Sequence, residues 1–562
     1  MKILISDKIS KRGIELLQRE PDFQVDVKTD LSREALMTVI RDYDALIVRS
    51  ATKVTNEVIE RAKNLKVIGR AGTGVDNVDV EAATRHGVAV MNTPAGNSTS
   101  VAEHAFALML ALARSIPNAN ASLKQGQWDK KSFLGSELKD KFLGIIGLGK
   151  IGIEVARRAQ AFKMRVMAYD PYVSERIAKD LTVALVPLEI LLRESDFITL
   201  HLALSSATRG FIDSAKLKLM KPTARLINCA RGEVIDEAAL CEALAAKRIA
   251  GAALDVFAEE PPENRRLLEF PNLICTPHIG ASTVEAQENV GIEIARQVRT
   301  FLKSGVAQNA VNLPSLTLEE FHKLEPFLRL GERMGTFLAS IVEGRVNEIG
   351  IRYYGELAQI NTSFISNTIV KALLLPVSDR VNAINARAVA EERGITVVES
   401  NSSRQRHFSN LISLKLHLTD GSTPPPQETK RTRIPASEGG ASSLAAQPQT
   451  REEWVEGTVL LGPAGLLNES ACRLVSVDGI DLEAPLRGTL LFFRNEDTPG
   501  VVGHIGTTLG RTHINIAGFA LGRDENTHTA IGVVNIDDDV SREVLEEICR
   551  FPAIRFARVV KV

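Results

Sequence analysis

Three glycines at fixed spacing restrict this chain more than any other feature. Gly147-Leu-Gly149-Lys-Ile-Gly152 stands between an apolar run, Phe142–Ile146, and an amphipathic one. The pattern reads as a strand that turns at once into a helix. The first glycine permits the tight turn, the second lets a phosphate approach the backbone, and the third lets the helix sit close to the strand. A pyrophosphate then rests on the positive end of that helix. The following strand ends in Asp170. A carboxylate there accepts hydrogen bonds from both ribose hydroxyls and repels a 2′-phosphate, which favours NAD over NADP. Gly147, Gly149, Lys150, Ile151, Gly152 and Asp170 are therefore candidate cofactor residues.

The surrounding pattern is α/β. Strand candidates Ile3–Ser6, Val25–Val27, Ala45–Arg49, Val67–Arg70 and Val88–Met91 alternate with amphipathic stretches, as in a parallel sheet. A long apolar-faced helix is expected over 99–116. A second series follows: Phe142–Ile146, Val166–Asp170, Phe197–His201, Leu226–Asn228, Ala252–Val256 and Leu273–Thr276. Another long helix runs from about Thr283 to Lys303. Two α/β blocks with a long helix on each side of the second predict that one domain is inserted in the other. The chain would leave the first near Ser98 and return near Thr283, with hinges at 97–99 and 282–284.

With 562 residues there is chain for roughly three or four domains. Lys plus Arg number 68 and Asp plus Glu 69, so no net charge argues for nucleic acid or an anionic membrane. The apolar stretch Ala105–Ala113 falls far short of the roughly 20 residues of a membrane span. Met1–Ser6 reads as a buried strand without signal-peptide character. The five cysteines are scattered, which argues against a disulfide framework or a metal site. A cytoplasmic location is expected.

From about Gln308 the composition changes. Residues 309–485 form a third region, interrupted by a Pro-, Ser-, Gly- and Gln-rich stretch over 420–452 that is expected to be a disordered loop. Its flanks read as strands, with Leu414, Leu416 and Leu418 alternating on one side and Val455, Val459 and Leu461 on the other. The stretch is thus an insertion within a domain. Residues 486–562 show a β-α-β-β-α-β pattern.

Three residues stand at strand ends after the glycine turn: Arg231 in Asn228-Cys-Ala-Arg-Gly232, Glu260 in Asp255-Val-Phe-Ala-Glu-Glu-Pro261, and His278 in Thr276-Pro-His-Ile-Gly280. In an open parallel sheet the strand C-termini line the ligand crevice. Oxidising an alcohol requires a base for its proton, which a histidine fixed by a carboxylate supplies. An arginine offers a planar fork to a substrate carboxylate. Singly, each has a bland reading: a surface turn, a helix start, a loop histidine. Together, in this order, they resemble the D-isomer-specific 2-hydroxyacid dehydrogenases. The resemblance implies that Arg231 binds substrate, Glu260 partners the histidine and His278 is the acid/base. It further implies that Ala230, Asp255, His278 and Gly280 lie beside NAD. The family commonly carries a proline two residues after the strand-end histidine; here the run is His201-Leu-Ala-Leu.

In the first domain, Gly72 and Gly74 keep a loop small enough for its amides to form an anion nest. Arg49, with Arg70 or Lys53, would add the cationic charge a phosphate requires. The runs Ile47–Lys53, Val67–Asn77 and Met91–Asn97 are similar to those of the phosphoglycerate dehydrogenase members of the family. That similarity implies 3-phosphoglycerate as substrate, with Arg49, Arg70, Thr73, Gly74 and Asn97 as its contacts. Lys130 and Lys131 either reach a phosphate from a neighbouring subunit or are ordinary surface lysines. Tyr353–Glu356, Lys371–Pro376, Val381–Asn385, Glu391–Gly394 and Val475–Gly479 resemble the intervening domain of the long-form members, and Asn495–Gly500 with His513–Ala517 and Leu521–Arg523 their ACT domain.

The implied fold is α/β: a Rossmann NAD-binding domain (99–282) inserted in a flavodoxin-like substrate domain (1–98 and 283–308), then an α+β intervening domain and a ferredoxin-like ACT domain. An L-serine effector would meet Asn495, Pro499, Gly500 and Asn515. A homo-oligomer, dimer or tetramer, is implied as well. Two rivals share the core: a general 2-hydroxyacid dehydrogenase and a non-catalytic NAD-sensing protein. The C-terminal half argues against both, the phosphate-directed arginines against the first, and the intact Arg231, Glu260 and His278 against a chain with a dead core.

Overall fold

A computed structural model of the chain describes residues 1–314, 317–378, 380–404, 407–419, 450–460 and 471–562. These form two compact units: Met1–Val54 with Arg61–Val78 and Met91–Lys303, and Thr55–Glu60 with Asp79–Val90 and Ser304–Val562. Among the described residues no helix is long and apolar enough to cross a membrane.

All ten predicted strands of the two α/β series between Ile3 and Thr276 that fall in the first unit are present, within a residue or two of the expected bounds. The parallel strands Gln24–Val27, Lys2–Ile5, Ala45–Val48 and Val67–Arg70 lie side by side in that order. The second sheet has the order Leu273–Cys275, Gly251–Leu254, Arg225–Asn228, Phe197–Leu200, Phe142–Ile146, Arg165–Tyr169 and Ala184–Leu185. The strand before the glycine turn is therefore interior, fifth of the seven, and the chain order reverses on its two sides. That reversal opens a crevice at the strand C-termini. The two-residue strand Ala184–Leu185 went unforeseen, being too short and mixed in burial to leave a periodic signal.

The predicted helix over 99–116 spans Ser98–Arg114 and stops there because Ser115 adopts φ 48°, ψ 39°. Pro117, which has no N–H to donate, then sits in the first turn of a separate helix, Ile116–Lys124. Helix Ser98–Arg114 buries Val101, Ala102, Ala105 and Met109. It lies against strands Arg225–Asn228 and Gly251–Leu254 and against helix Lys150–Ala161. The returning helix spans Val284–Ser304, its first turn capped by the Thr283 hydroxyl, which accepts from Ala286 N at 3.1 Å.

In the second unit a six-stranded sheet runs Thr396–Ser402, Arg345–Gly355, Asn410–Thr419, Thr450–Val459, Cys472–Val477 and Ile480–Pro485. Leu414, Leu416 and Leu418 are buried on one strand, and Val455 and Val459 on another, as their alternation foretells. The expected loop over 420–452 is corrected at its end. Thr450, Arg451 and Glu452 belong to a strand and pair with Thr419, Leu418 and His417, while 420–449 and Leu461 lie outside the described residues. The strand extends back to Thr450 because the partner strand supplies hydrogen bonds that composition does not reveal.

The last 74 residues from Thr489 have the predicted β-α-β-β-α-β order, in an antiparallel sheet Ile516–Asp524, Thr529–Ile536, Thr489–Glu496, Ile554–Lys561. The run Leu490-Leu-Phe-Phe493 is continuously apolar because both faces of this sheet are covered. Leu491 and Phe493 pack under the domain's own helices with Ile505 and Ile548. Leu490 and Phe492 join Phe337, Met334 and Leu338 of helix Leu318–Ile341. The Phe337 and Phe492 rings meet edge to face, with centroids 5.4 Å apart. One core thus continues from the six-stranded sheet to the four-stranded one. Calorimetry should therefore record one transition for Ser304–Val562. Phe337→Ala should lower its Tm by roughly 10 °C, since emptying a buried aromatic site costs about 3–5 kcal/mol. Two separated transitions would contradict the shared core.

Candidate active site

The glycine turn has the geometry its sequence demands. Gly147 has φ 95°, and a Cβ on it would lie 2.4 Å from the His201 carbonyl oxygen; one on Gly152 would lie 2.2 Å from the Gly147 oxygen. A Cβ on Gly149, by contrast, would meet nothing within 4 Å. The first and third glycines are sterically required, and the second faces open space. No side chain caps helix Lys150–Ala161 at Gly149, so its first N–H groups are available to a pyrophosphate. Asp170 holds the turn from the neighbouring strand, accepting from Leu148 N at 2.8 Å and Tyr172 N at 2.9 Å, and both oxygens retain acceptor capacity for a ribose. The residues present fit a dinucleotide.

Arg231, Glu260 and His278 follow three adjacent strands of the same sheet, Arg225–Asn228, Gly251–Leu254 and Leu273–Cys275. His278 Nδ1 is 2.7 Å from Glu260 Oε2, while Glu260 Oε1 accepts from Phe257 N at 3.2 Å. The carboxylate thereby fixes the proton on Nδ1 and leaves Nε2 as the ring's acceptor. His278 has φ 52°, a backbone that an L residue adopts only under constraint. The constraint is Asp255, whose carbonyl accepts from His278 N at 2.8 Å. Its carboxylate accepts from Ile279 N at 2.9 Å, Gly280 N at 2.8 Å and the Thr276 hydroxyl at 2.6 Å. Burial would push the Asp255 carboxyl up, but bonds from His104, Thr276, Ile279 and Gly280 outweigh it and hold the group below its ordinary range. Asp255 is only 1% exposed, so its carboxylate acts as an anchor for the histidine turn. Ala230 is held by Asn228, whose side-chain oxygen accepts from Ala230 N at 3.0 Å.

On the facing side, Arg231 Nε donates to Asp76 Oδ2 at 2.9 Å. A Cβ on Gly74 would lie 1.7 Å from Arg231 Nη2, and one on Gly72 the same distance from Arg70 Nη1. The two loop glycines are the floor on which two guanidinium groups lie. Arg70 is pushed down to about 10 by burial first, then by Arg231 and Arg49, against the opposing pull of Asp76 and Asp7. Three arginines thus gather around two carboxylates, and their common field favours an anion. Thr73 Oγ1 donates to Asn97 Oδ1 at 2.8 Å beside them. Lys53 is exposed. Asp7 holds the Arg49 loop, accepting from Arg49 N at 2.6 Å and the Thr52 hydroxyl at 2.6 Å.

Asp7, Asp76 and His104 went unnoticed in the sequence. Asp76 sits inside the run that drew attention to Gly74, and its spacing from Arg231 gives no hint of their pairing. The four effector candidates are not brought together within one chain. Asn495 lines a cavity of about 880 Å³ with Glu496, Asp497, Thr498 and His528, and Pro499 and Gly500 follow directly. Asn515 instead donates to Asp537, next to the end of the sheet where Ile516 pairs with Ile536 and Ile536 with Thr489. It is separated from Asn495 by most of a strand, about 20 Å.

Three family profiles match the chain: "D-isomer specific 2-hydroxyacid dehydrogenase, NAD binding domain" over residues 106–280, "D-3-phosphoglycerate dehydrogenase intervening domain" over 323–423, and "ACT domain" over 489–553. A D-3-phosphoglycerate dehydrogenase of Synechocystis sp. is 41% identical, the match covering 100% of this chain and 95% of that one. The protein of that name from Archaeoglobus fulgidus is 40% identical over 100% of both. The chain belongs to the D-3-phosphoglycerate dehydrogenase family. It is accordingly an NAD-dependent oxidoreductase. Among solved structures, a glyoxylate reductase from Paecilomyes thermophila is 31% identical with TM-score 0.52, over 55% of this chain and 97% of that one. A D-lactate dehydrogenase from Aquifex aeolicus complexed with NAD and lactic acid is 29% identical with TM-score 0.50, over 56% and 100%.

Two outcomes follow from this geometry. Gly149→Val should leave the Tm nearly unchanged, because the added atoms enter open space, yet weaken NADH binding by at least about 10-fold, read by nucleotide fluorescence. The second concerns His201, whose Nδ1 is buried without a partner among the described residues and which burial pushes from 6.5 down to about 4. Between those values the unfolded chain binds the extra proton, so stability present above pH 6.5 is lost as pH falls toward 4. Melting curves of His201→Gln should lose part of that acid dependence; an unchanged pH profile would show that His201 does not cause it.

Proposed function

We propose that the chain oxidises 3-phospho-D-glycerate to 3-phosphooxypyruvate with NAD, the reaction that opens L-serine biosynthesis. The observation that carries this reading is that Arg70 and Arg231 lie over Gly72 and Gly74, with the Arg49 charge acting on Arg70 beside them, within the unit that holds the His278–Glu260 pair. The substrate has two anionic ends. Arg49 and Arg70 take the phosphate, and Arg231 with the Thr73–Gly74 amides takes the carboxylate, with Asn97 completing that wall. His278 Nε2 accepts the C2 hydroxyl proton, while Glu260 steadies the imidazolium from Nδ1. Bound NAD would supply the acceptor for the C2 hydride. Lys150, Ile151 and Asp170 would hold its pyrophosphate and ribose, and Ala230 and Gly280 would lie beside it. Domain limits at 98 and 283 allow the crevice to close around the substrate and exclude water.

The chain's working form in this reading is a cytoplasmic homo-oligomer. Helix Ile116–Lys124 buries none of its residues, and Trp128 and Leu134 beyond it are 76% and 93% exposed, which supports a second copy as their cover. L-serine is the proposed effector at the Asn495–Gly500 turn.

NADH formation tests the substrate. Replacing 3-phosphoglycerate by D-glycerate should lower kcat/KM by about 100-fold or more, the worth of two charge-assisted hydrogen bonds. Equal rates on the two substrates would mean that the arginines do not serve a phosphate.

A further inference from the structure

We infer that His104 is a positioning residue for His278, acting through Asp255 and Thr276. The inference rests on the proposed role of His278 as the acid/base. His104 projects from helix Ser98–Arg114, and its side chain is 17% exposed. Its Nε2 lies 3.2 Å from Asp255 Oδ1 and 3.1 Å from Thr276 Oγ1. Those two groups are bonded to each other at 2.6 Å, so the imidazole closes a three-membered polar cluster.

Everything that fixes the His278 backbone ends in this cluster. His278 N and the next two amides all donate to Asp255, the first to its carbonyl and the others to its carboxylate. Gly280 presses on the same group, since a Cβ there would lie 3.0 Å from Asp255 Oδ2 and 3.7 Å from His104 Cδ2. Oδ1 receives Thr276 Oγ1 and Ile279 N as well as His104, whereas Oδ2 receives Gly280 N alone of those named here. The Thr276 hydroxyl gives its proton to Asp255 Oδ1, so Thr276 Oγ1 and Asp255 Oδ1 both face His104 Nε2 as acceptors and Nε2 has to carry the hydrogen. That fixes the His104 tautomer and makes a donor, not merely a ring, the requirement at this position.

The arrangement has a mechanical consequence. His278 holds a left-handed backbone at φ 52°, and its ring is aimed by Glu260 from a different loop. Removing one donor from the buried Asp255 carboxylate lets it rotate toward its remaining partners. The turn follows, because three consecutive residues hang from it. Nε2 of His278 then leaves the line to the substrate hydroxyl, although no group touching substrate has changed. Hydride and proton transfer suffer more than the binding of either ligand.

Four proteins separate the possibilities: wild type, His104→Leu, His104→Gln and His278→Asn. Each is compared for NADH formation from 3-phosphoglycerate, for NADH binding by fluorescence and for Tm. Leucine keeps apolar bulk and removes the donor; glutamine returns an N–H at about the reach of imidazole Nε2. The expected result is a kcat loss of about 10- to 100-fold in H104L, the scale of a misplacement of 1 Å or less, with KM and NADH binding little altered, and recovery of most of kcat in H104Q. A wild-type kcat in H104L would overturn the inference. So would equal losses in H104L and H104Q, which would reduce the residue to packing. H278N should abolish turnover and still bind NADH; if it turned over normally, the reading of His278 itself would fail, whatever the His104 variants did.

Discussion

A carboxylate can be taken out of water only if donors replace the water it loses, and the site here is organised around the place where that condition is met. Asp255 is all but fully buried, and its lost hydration is replaced by two backbone amides, a hydroxyl and the imidazole of His104. The consequence reaches beyond one residue. Every donor satisfied by this carboxylate is thereby fixed in position, and two of them are consecutive amides of the turn that carries His278. The same bonds that make the burial tolerable make the histidine turn rigid. A loop side chain that must keep one orientation needs such support, because loops without it sample many backbones.

The opposite wall has the complementary electrostatic problem. Arg49, Arg70 and Arg231 gather around Asp7 and Asp76, leaving positive charge in excess of its neutralisation. Burial and the other two guanidinium groups both lower the Arg70 affinity for its proton, so the cluster carries unfavourable energy until an anion arrives. Gly72 and Gly74 allow this crowding, since any side chain there would occupy the positions of the guanidinium groups. Asp76 binds Arg231 in the meantime and so holds it in place without cancelling the charge of all three. An anion seated among these arginines would relieve repulsion already built into the protein.

Much of this was legible in the sequence, and the division between what was and was not follows the range of the forces involved. The glycine turn is local: strand, turn and helix are contiguous, and Gly147 and Gly152 answer steric demands from the adjacent strand end and from within the turn itself, while Gly149 leaves space open. Arg231, Glu260 and His278 were legible because a parallel sheet sends successive strand ends to one edge, so that residues 47 positions apart from first to last could be placed together without coordinates. The His104–Asp255 contact spans 151 positions and depends on how helix Ser98–Arg114 crosses the sheet. In the sequence, His104 is one polar residue in an apolar helix, with nothing to mark its partner. Asn515 is a case of another kind. The resemblance places an effector across a paired interface, and within one chain antiparallel register puts Asn495 and Asn515 near opposite ends of the sheet.

The second unit invites a similar argument about what a ligand at the Asn495–Gly500 turn would act on. If its four-stranded sheet were attached by a flexible linker, a ligand there could reorganise that sheet alone. Instead, alternate residues of strand Thr489–Glu496 belong to two cores, one under the sheet's own helices and one shared with helix Leu318–Ile341. Arg494, from the same strand, also donates to Asp478 at 2.6 Å in the turn before strand Ile480–Pro485, and Asp478 lines the same cavity as Asn495. Close-packed cores transmit displacement because they have few voids to absorb it. A change at the Asn495 turn must therefore be accommodated by the six-stranded sheet and its long helix as well. This makes the two sheets one mechanical body, and a binding event at the turn is an event for the whole of it.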